Sequence, residues 1–283
     1  TATSLPAWDQ ARVPPSGSGD RGCRPGLTDD PYHFGVAERR RLVVIFGGRS
    51  AEHDVSCVSA RHVLAAADPE RYEVLPVGIG RDGRWCQAVA AAEALVEGDL
   101  PETLDPSGPA WDPLPGLAQL ALEGPVTVFP LLHGPLGEDG TVQGLLEIAD
   151  VAYVGSGVLG SALAMDKLAA KEVLAHHGIP QADYRGLHAD DLGAAGTDGL
   201  TSLLEGLLDG LGPVVFVKPA NLGSSIGVSR ADDPATLEVA LKTAAGYDER
   251  LVVERAVDGR EIELAVLGDL VPQVSGPGEI RPG

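Results

Sequence analysis

Val214-Val215-Phe216-Val217-Lys218-Pro219-Ala220-Asn221-Leu222-Gly223-Ser224-Ser225-Ile226-Gly227-Val228 joins a β-branched and aromatic run to a glycine/serine segment, with a lysine at the junction. The run reads as a buried strand over Val214–Val217 that delivers Lys218 inward. The segment after it reads as a flexible loop. A lysine supplies a point charge for phosphate, and loop amides and hydroxyls can wrap terminal phosphates. A surface lysine at a strand end would explain neither the loop nor the choice of residue. Only Lys167, Lys171, Lys218 and Lys242 are lysines among 21 basic residues. The pattern is not a Walker A loop, because the lysine precedes the glycines.

Downstream, Leu251-Val252-Val253-Glu254 is a second apolar strand ending in a carboxylate. Glu261 and Glu263 share one face of the strand expected over 261–267, since side chains repeat every two residues. Such strand-end acids are often merely solvated, but next to a phosphate-type lysine they can read an adenine amino group and ribose hydroxyls. Upstream, Gly47-Gly48-Arg49-Ser50-Ala51-Glu52-His53-Asp54 is a glycine turn between a buried strand and a helix. Ligands of α/β sheets bind at that edge. Ser50 or Asp54 suits a helix cap, and Glu52 suits either the helix dipole or a substrate ammonium. His133-Gly134-Pro135-Leu136-Gly137-Glu138-Asp139-Gly140 follows another buried strand, with His133 at its carboxyl end. A lone histidine there is structural or ligand-facing. Gly155-Ser156-Gly157-Val158-Leu159-Gly160, with Asp183 further on, formally matches a dinucleotide fingerprint. That fingerprint belongs at a first strand, and four expected strands precede this one, so an NAD-dependent oxidoreductase is the weaker reading.

The whole chain sets the bounds. At 283 residues, two or three packed units are expected. The net charge of −20 repels phosphate backbones and anionic lipid headgroups, which argues against nucleic-acid and membrane partners. A mean hydropathy of +0.06 permits a full core, and no apolar run is long enough to span a bilayer. Cys23, Cys57 and Cys86 are odd in number and lack metal spacing, which points to a reducing, cytoplasmic setting. Met165 is the single methionine, so Thr1 is not a translation start, and the chain stops after the loop-like Ser275–Gly278 stretch. An incomplete chain is the expectation.

Residues 1–40 are rich in Pro, Gly, Ser and Asp and end in Arg39-Arg40-Arg41, which predicts a disordered extension with a solvated basic flank. Order is expected from Leu42. Strands at 42–46, 72–79, 84–87, 126–131 and 151–154 alternate with helices at 54–67, 88–96 and 141–148, an α/β layer with a mainly parallel sheet. A Pro/Gly-rich loop is expected between residues 97 and 125. Helices at 157–165, 167–177, 202–208 and 234–244 then mix with strands at 214–217, 227–229, 251–254 and 261–267, an α+β unit with antiparallel hairpins.

The order of these segments resembles the D-alanine–D-alanine ligase family, ATP-grasp enzymes of peptidoglycan precursor synthesis. Gly47–Ser56, His133–Gly140, Ala164-Met165-Asp166-Lys167 and Val217–Ser225 carry the resemblance, which covers about residues 42 to 278. It implies an amino-terminal substrate-binding α/β domain over 41–155, a central ATP-grasp domain over 156–253, and the start of an incomplete third domain over 254–283. It implies that Glu52 holds the ammonium of the first D-alanine, with His133 nearby, and that Ser224 and its loop close over the reacting groups. Lys167 and Lys218 would contact ATP phosphates with Ser225, while Glu254, Arg255 and Val257 form the adenine hinge and Glu261 meets the ribose. ATP and magnesium are the implied cofactors, and a homodimer is compatible with the family. The family's catalytic arginine and magnesium ligands fall past Gly283, so the 283-residue chain alone is not expected to ligate, and a non-catalytic nucleotide-binding fragment is the alternative. The second substrate is D-alanine or D-lactate.

Composition also predicts that residues 1–40 are lost quickly to protease and that trimming to Arg41 leaves the melting temperature unchanged. A fall of several degrees on trimming would show that the segment packs on the core.

Overall fold

A computed structural model describes residues 39–281 apart from 195 and 269, so the reading of residues 1–38 lies outside the described residues. The chain opens with β1 (Arg40–Gly47), α1 (His53–Ala66), β2 (Tyr72–Ile79), β3 (Trp85–Gln87), α2 (Val89–Glu97) and α3 (Pro113–Glu123). β4 (Val126–Pro130), α4 (Thr141–Ile148) and β5 (Ala152–Tyr153) complete the first layer. The sheet order is β3-β2-β1-β4-β5, parallel except for β3 against β2. Every residue from Leu42 to Phe46 is buried because both faces of β1 are covered. Val43 and Ile45 join Leu117, Val142 and Leu146 on one face. Leu42, Val44 and Phe46 meet Cys57, Ala60 and Leu64 on the other.

Three expectations in this layer are corrected. The strand begins at Arg40, not Leu42: the Arg40 N–H donates to Arg71 O at 2.9 Å. Arg41 is no solvated flank, since its guanidinium pairs with Glu73 and Glu123 at 3.2 Å each and its side chain is only 23% exposed. The Pro/Gly-rich loop contains α3. Pro113 occupies the first turn, where its missing N–H costs nothing, and Leu117 is fully buried.

The second layer comprises α5 (Val158–Met165), α6 (Lys167–His176), β6 (Tyr184–His188), α7 (Ala189–Ala194), α8 (Gly196–Leu211), β7 (Val215–Pro219), β8 (Ser229–Ala231), α9 (Pro234–Ala245) and β9 (Arg250–Arg255). Its four-stranded sheet runs β6-β9-β7-β8 and is antiparallel throughout. Val215, Val217, Leu251 and Val253 pack with Leu204, Leu207, Leu211, Leu237 and Leu241 of α8 and α9. The two-residue alternation then turns Phe216, Lys218, Val252 and Glu254 to the opposite face. Lys218 therefore points away from the main core, toward a cleft.

The expected strand over 261–267 is also corrected. It breaks into β10 (Glu261–Glu263) and β11 (Val266–Leu267), which pair with β13 (Gly278–Ile280) and β12 (Gln273–Val274) rather than with β9. All four short strands are exposed, so no core face extends them. Among the described residues, no helix is long and apolar enough to cross a membrane.

One buried hydroxyl ties the parallel sheet together at its ligand-facing edge. Ser56 Oγ accepts from Gly47 N at 2.8 Å and donates to Leu131 O at 2.5 Å, joining the ends of β1 and β4. Ser56→Ala leaves the buried Gly47 N–H and the partly buried Leu131 carbonyl without this partner and should cost about 1–3 kcal/mol in denaturant unfolding. An unchanged midpoint would show that the bridge carries no stability.

Candidate functional site

The amino-terminal half of the site is made by two glycine turns at the carboxyl edge of the parallel sheet. Gly47 (φ +90°) must be glycine, because a Cβ there would lie 2.3 Å from Ile79 O. Beyond the turn Ser50 Oγ donates to His133 O at 2.7 Å and accepts from Glu52 N at 3.2 Å. His53, buried, reaches Gly48 O through Nδ1 at 2.6 Å. Glu52 stands at the N-cap position of α1 but makes no side-chain cap, which leaves its carboxylate for other partners. A Cβ at Gly134 (φ +73°) would lie 2.6 Å from Glu52 Oε2, so glycine there makes room for that carboxylate.

His133 lies beneath the second turn, with Nε2 at 3.2 Å from Ser59 Oγ and Nδ1 at 3.9 Å from Glu138 Oε1. Glu138 Oε2 accepts from Gly134 N at 2.7 Å. Burial pushes the Asp139 carboxyl up, but hydrogen bonds from Leu136 N and Thr141 N prevail and hold it below its usual range. Gly48, Ser50, His133 and Thr141 line a pocket of about 300 Å³ between the turns.

The second half is a cleft of about 680 Å³ on the face that the alternation of β7 and β9 leaves free of the main core. Lys167, Lys218, Ser224, Ser225, Glu254, Arg255, Val257 and Glu261 all line it, as do Phe216 and Leu222. Asp166 caps α6 by accepting from Leu168 N and Ala169 N, and it also pairs with Arg250. This fixes the start of the helix, and Lys167 N donates to Ala220 O at 3.0 Å. The Lys167 ammonium donates to Leu222 O at the base of the glycine/serine loop. Burial, reinforced by the neighbouring Lys218 charge, pushes the Lys167 ammonium below its ordinary value.

Glu254 binds two lysines at once: Oε1 lies 2.5 Å from Lys171 Nζ and Oε2 lies 2.6 Å from Lys218 Nζ. Burial pushes its carboxyl up, yet hydrogen bonds from Lys171 and Lys218 outweigh burial and hold it below its usual range. Arg255 lines the cleft while its guanidinium is engaged by Leu211 O at 2.8 Å and Asp183 at 3.0 Å.

The loop joins the halves. Its base is anchored where Asn221 N and Nδ2 both donate to Asp248 Oδ2, at 2.8 and 3.0 Å. Its tip carries Ser224 (φ +49°) and Ser225 (φ +58°) in left-handed conformations that non-glycine residues seldom adopt. Ser224 Oγ donates to the Glu52 carboxylate. The structure thus brings Glu52 to the tip of the phosphate-type loop, while His133 sits beneath Gly134 and outside the larger cleft.

Sequence reasoning assigned no role to Lys171, Asp166, Asp248 or Ser56. The scarcity of lysine marks Lys171, and an aspartate directly before a helical run is a cap signal that marks Asp166. Asp248 and Ser56 carry no local signal. Among the described residues, no group of three or more His, Cys, Asp or Glu gathers as a metal site, so these residues do not fit a magnesium centre.

Because the native Glu254 carboxyl titrates below its unfolded value, its ion pairs stabilise the fold fully above that unfolded value. The stabilisation is lost as pH falls through the lowered native value. Glu254→Gln should therefore flatten the acid limb of the stability–pH curve, measured by thermal unfolding from neutral to acid pH. Equal acid slopes for the two proteins would refute the coupling.

The chain and its fold have clear counterparts. Residues 41–156 match the family model described as D-ala D-ala ligase N-terminus, and residues 173–283 match D-ala D-ala ligase C-terminus. The chain is 39% identical over 255 residues to the D-alanine–D-alanine ligase of Macrococcus caseolyticus, covering 86% of this chain and 67% of that protein. It is 45% identical over 259 residues to that of Kineococcus radiotolerans, covering 85% and 68%. The chain thus spans about two thirds of the length of these relatives. Among solved structures, the D-alanine-D-alanine ligase of Coxiella burnetii superposes with a TM-score of 0.68 at 33% identity, over 86% of this chain and 71% of that one. The VanG D-Ala:D-Ser ligase of Enterococcus faecalis gives 0.68 at 29%, over 86% and 70%. Two family models covering most of the described residues, and relatives this close, show that the chain belongs to the D-alanine–D-alanine ligase family.

Proposed function

We propose that this protein works in the ATP-dependent joining of two D-alanines to D-alanyl-D-alanine, a carboxylate–amine ligation that supplies peptidoglycan precursors. One observation carries the reading: Ser224, at the tip of the loop beside the lysine-lined cleft, touches Glu52, at the edge of the parallel sheet. A phosphoryl donor in the cleft and an amino acid held at Glu52 would meet at that loop.

In this reading Lys167 and Lys218 neutralise ATP phosphates, and Ser224 and Ser225 wrap the terminal phosphate. Glu254, Arg255 and Val257 face the adenine, and Glu261 the ribose. Glu52 binds the ammonium of the first D-alanine, with His133 supporting the turn beneath it. The carboxylate of that D-alanine takes the terminal phosphoryl group, giving ADP and an acyl phosphate. The amine of the second D-alanine then attacks the acyl carbon, forming the amide, losing a proton and expelling phosphate. Charge neutralisation and alignment are what such a transfer demands, and the cleft's lysines offer both. Magnesium dependence follows from the family. The division into 41–155, 156–253 and 254–283 follows the same reading, with the cleft between the second and third segments.

Lys218→Ala should weaken ATP binding by about 1–3 kcal/mol, read by calorimetry on a folded variant. Unchanged affinity would remove the nucleotide assignment. The reaction is tested by supplying the protein, together with any residues its gene encodes after Gly283, with ATP, magnesium and D-alanine and measuring one phosphate per dipeptide. Preference for D-serine or D-lactate as the second substrate would overturn the substrate assignment.

A further inference from the structure

The helix that presents Lys167 also presents Lys171 one turn later, on the same face. Lys171 does not line the cleft. Its ammonium lies 2.5 Å from Glu254 Oε1, and both side chains are only 14% exposed. It also stands 4.9 Å from the centroid of the Tyr184 ring and 3.5 Å from Gln181 Oε1. Gln181 Nε2 returns a hydrogen bond to Lys171 O at 2.8 Å. Lys171 is thus fixed by three neighbouring side chains besides its own helix.

The other partner of Glu254 is placed differently. Lys218 is 29% exposed, lines the cleft and holds Glu254 Oε2 at 2.6 Å. A phosphate arriving in the cleft competes for the Lys218 ammonium with two or more charges of its own. Once Lys218 turns to phosphate, Oε2 is free to accept a hydrogen bond from the cleft, and Glu254 would be left largely buried with no cation paired to it if Lys171 were absent, since Lys167, the other nearby lysine, faces the phosphate site as well. An uncompensated buried carboxylate takes up a proton or turns to water. Protonation gives the carboxyl a donor that a carbonyl oxygen can also meet, and rotation to water takes the acceptor out of the cleft, so either change weakens discrimination.

We infer that Lys171 is a positioning residue: it keeps Glu254 in place as a hydrogen-bond acceptor while Lys218 serves phosphate, and so lets the cleft prefer a purine with an amino group at C6 over one with a carbonyl oxygen there. The inference rests on the nucleotide reading above. Adenine offers an N–H donor to the free oxygen, whereas the carbonyl of guanine presents a second acceptor and repels it. Lys171 touches neither base nor phosphate and acts only through Glu254.

The test compares ATP and GTP binding by calorimetry for the wild-type chain, Lys171→Met, Lys171→Arg and Glu254→Gln. A loss of folded protein lowers the active fraction for both nucleotides alike, so the ratio of their affinities reports position and not stability. Lys171→Met should reduce the ATP-over-GTP preference about tenfold, and Lys171→Arg, which keeps the charge, should retain more of it. Should Lys171→Met not fold, Lys171→Gln, which keeps a donor without the charge, carries the same comparison. If Glu254→Gln leaves the preference intact, the nucleotide reading of this cleft is wrong. If Glu254→Gln abolishes the preference while Lys171→Met keeps the wild-type ratio, the nucleotide reading stands and the role of Lys171 falls. A Lys171→Arg variant as unselective as Lys171→Met would overturn it as well.

Discussion

Alternation along two neighbouring strands is the constraint on which the rest of the molecule depends. Val215 and Val217 on β7, with Leu251 and Val253 on β9, must turn toward α8 and α9 to build the core of the second layer. Their neighbours Lys218 and Glu254 then have no choice but to share the opposite face, where the antiparallel register sets Phe216 against Glu254 and Lys218 against Val252. Charged groups brought so close in a partly buried place must pair, and Glu254 does so with Lys218 and Lys171 together. A shift of one residue in β7 would send the lysine into the leucine core, and a shift in β9 would send the glutamate there. The cleft's chemistry is in this sense fixed by packing on the far side of the sheet.

The first layer meets a different demand, which is to leave backbone room at the end of a sheet buried on both faces. Its solution is to use short polar side chains as brackets: Ser56 between β1 and β4, Ser50 between the two turns, Glu138 across the base of Gly134. Each bracket satisfies a backbone group that the glycine turns would otherwise strand. Glu52 is spared such duty and is free to face outward toward the loop from the second layer.

What could be read from the sequence follows the same logic. β1, β7 and β9 were legible because a strand covered on both faces, or facing a core, writes its burial directly into runs of Val, Ile and Leu. The cleft-lining residues Lys218 and Glu254 stood out because they interrupt such runs. α3 was hidden because Pro113 and Pro115 read as breakers, although proline is favoured in a first helical turn. α8 was shortened to 202–208 because Gly196, Gly199 and Gly210 mask it, yet Leu204, Leu207 and Leu211 pack against the sheet and carry the helix to its end. β6, with Arg185, Gly186 and His188, has no period of its own and exists because β9 offers it an open edge. The bond from Ser224 to Glu52 joins positions 172 residues apart and leaves no local trace at all.

That bond has a thermodynamic consequence. If Glu52 holds a substrate ammonium as proposed, the hydroxyl of Ser224 and that ammonium draw on the same carboxylate, and the loop tip and an incoming amino acid are competitors before they are collaborators. The apparent affinity for the amino acid is then the intrinsic one multiplied by the fraction of molecules whose loop has let go. A phosphate in the cleft offers the loop's hydroxyls and amides another partner, which raises that fraction. On the function proposed above, nucleotide and amino acid would in this way be coupled through occupancy of a single carboxylate, and by reciprocity each would strengthen the other's hold by the same factor.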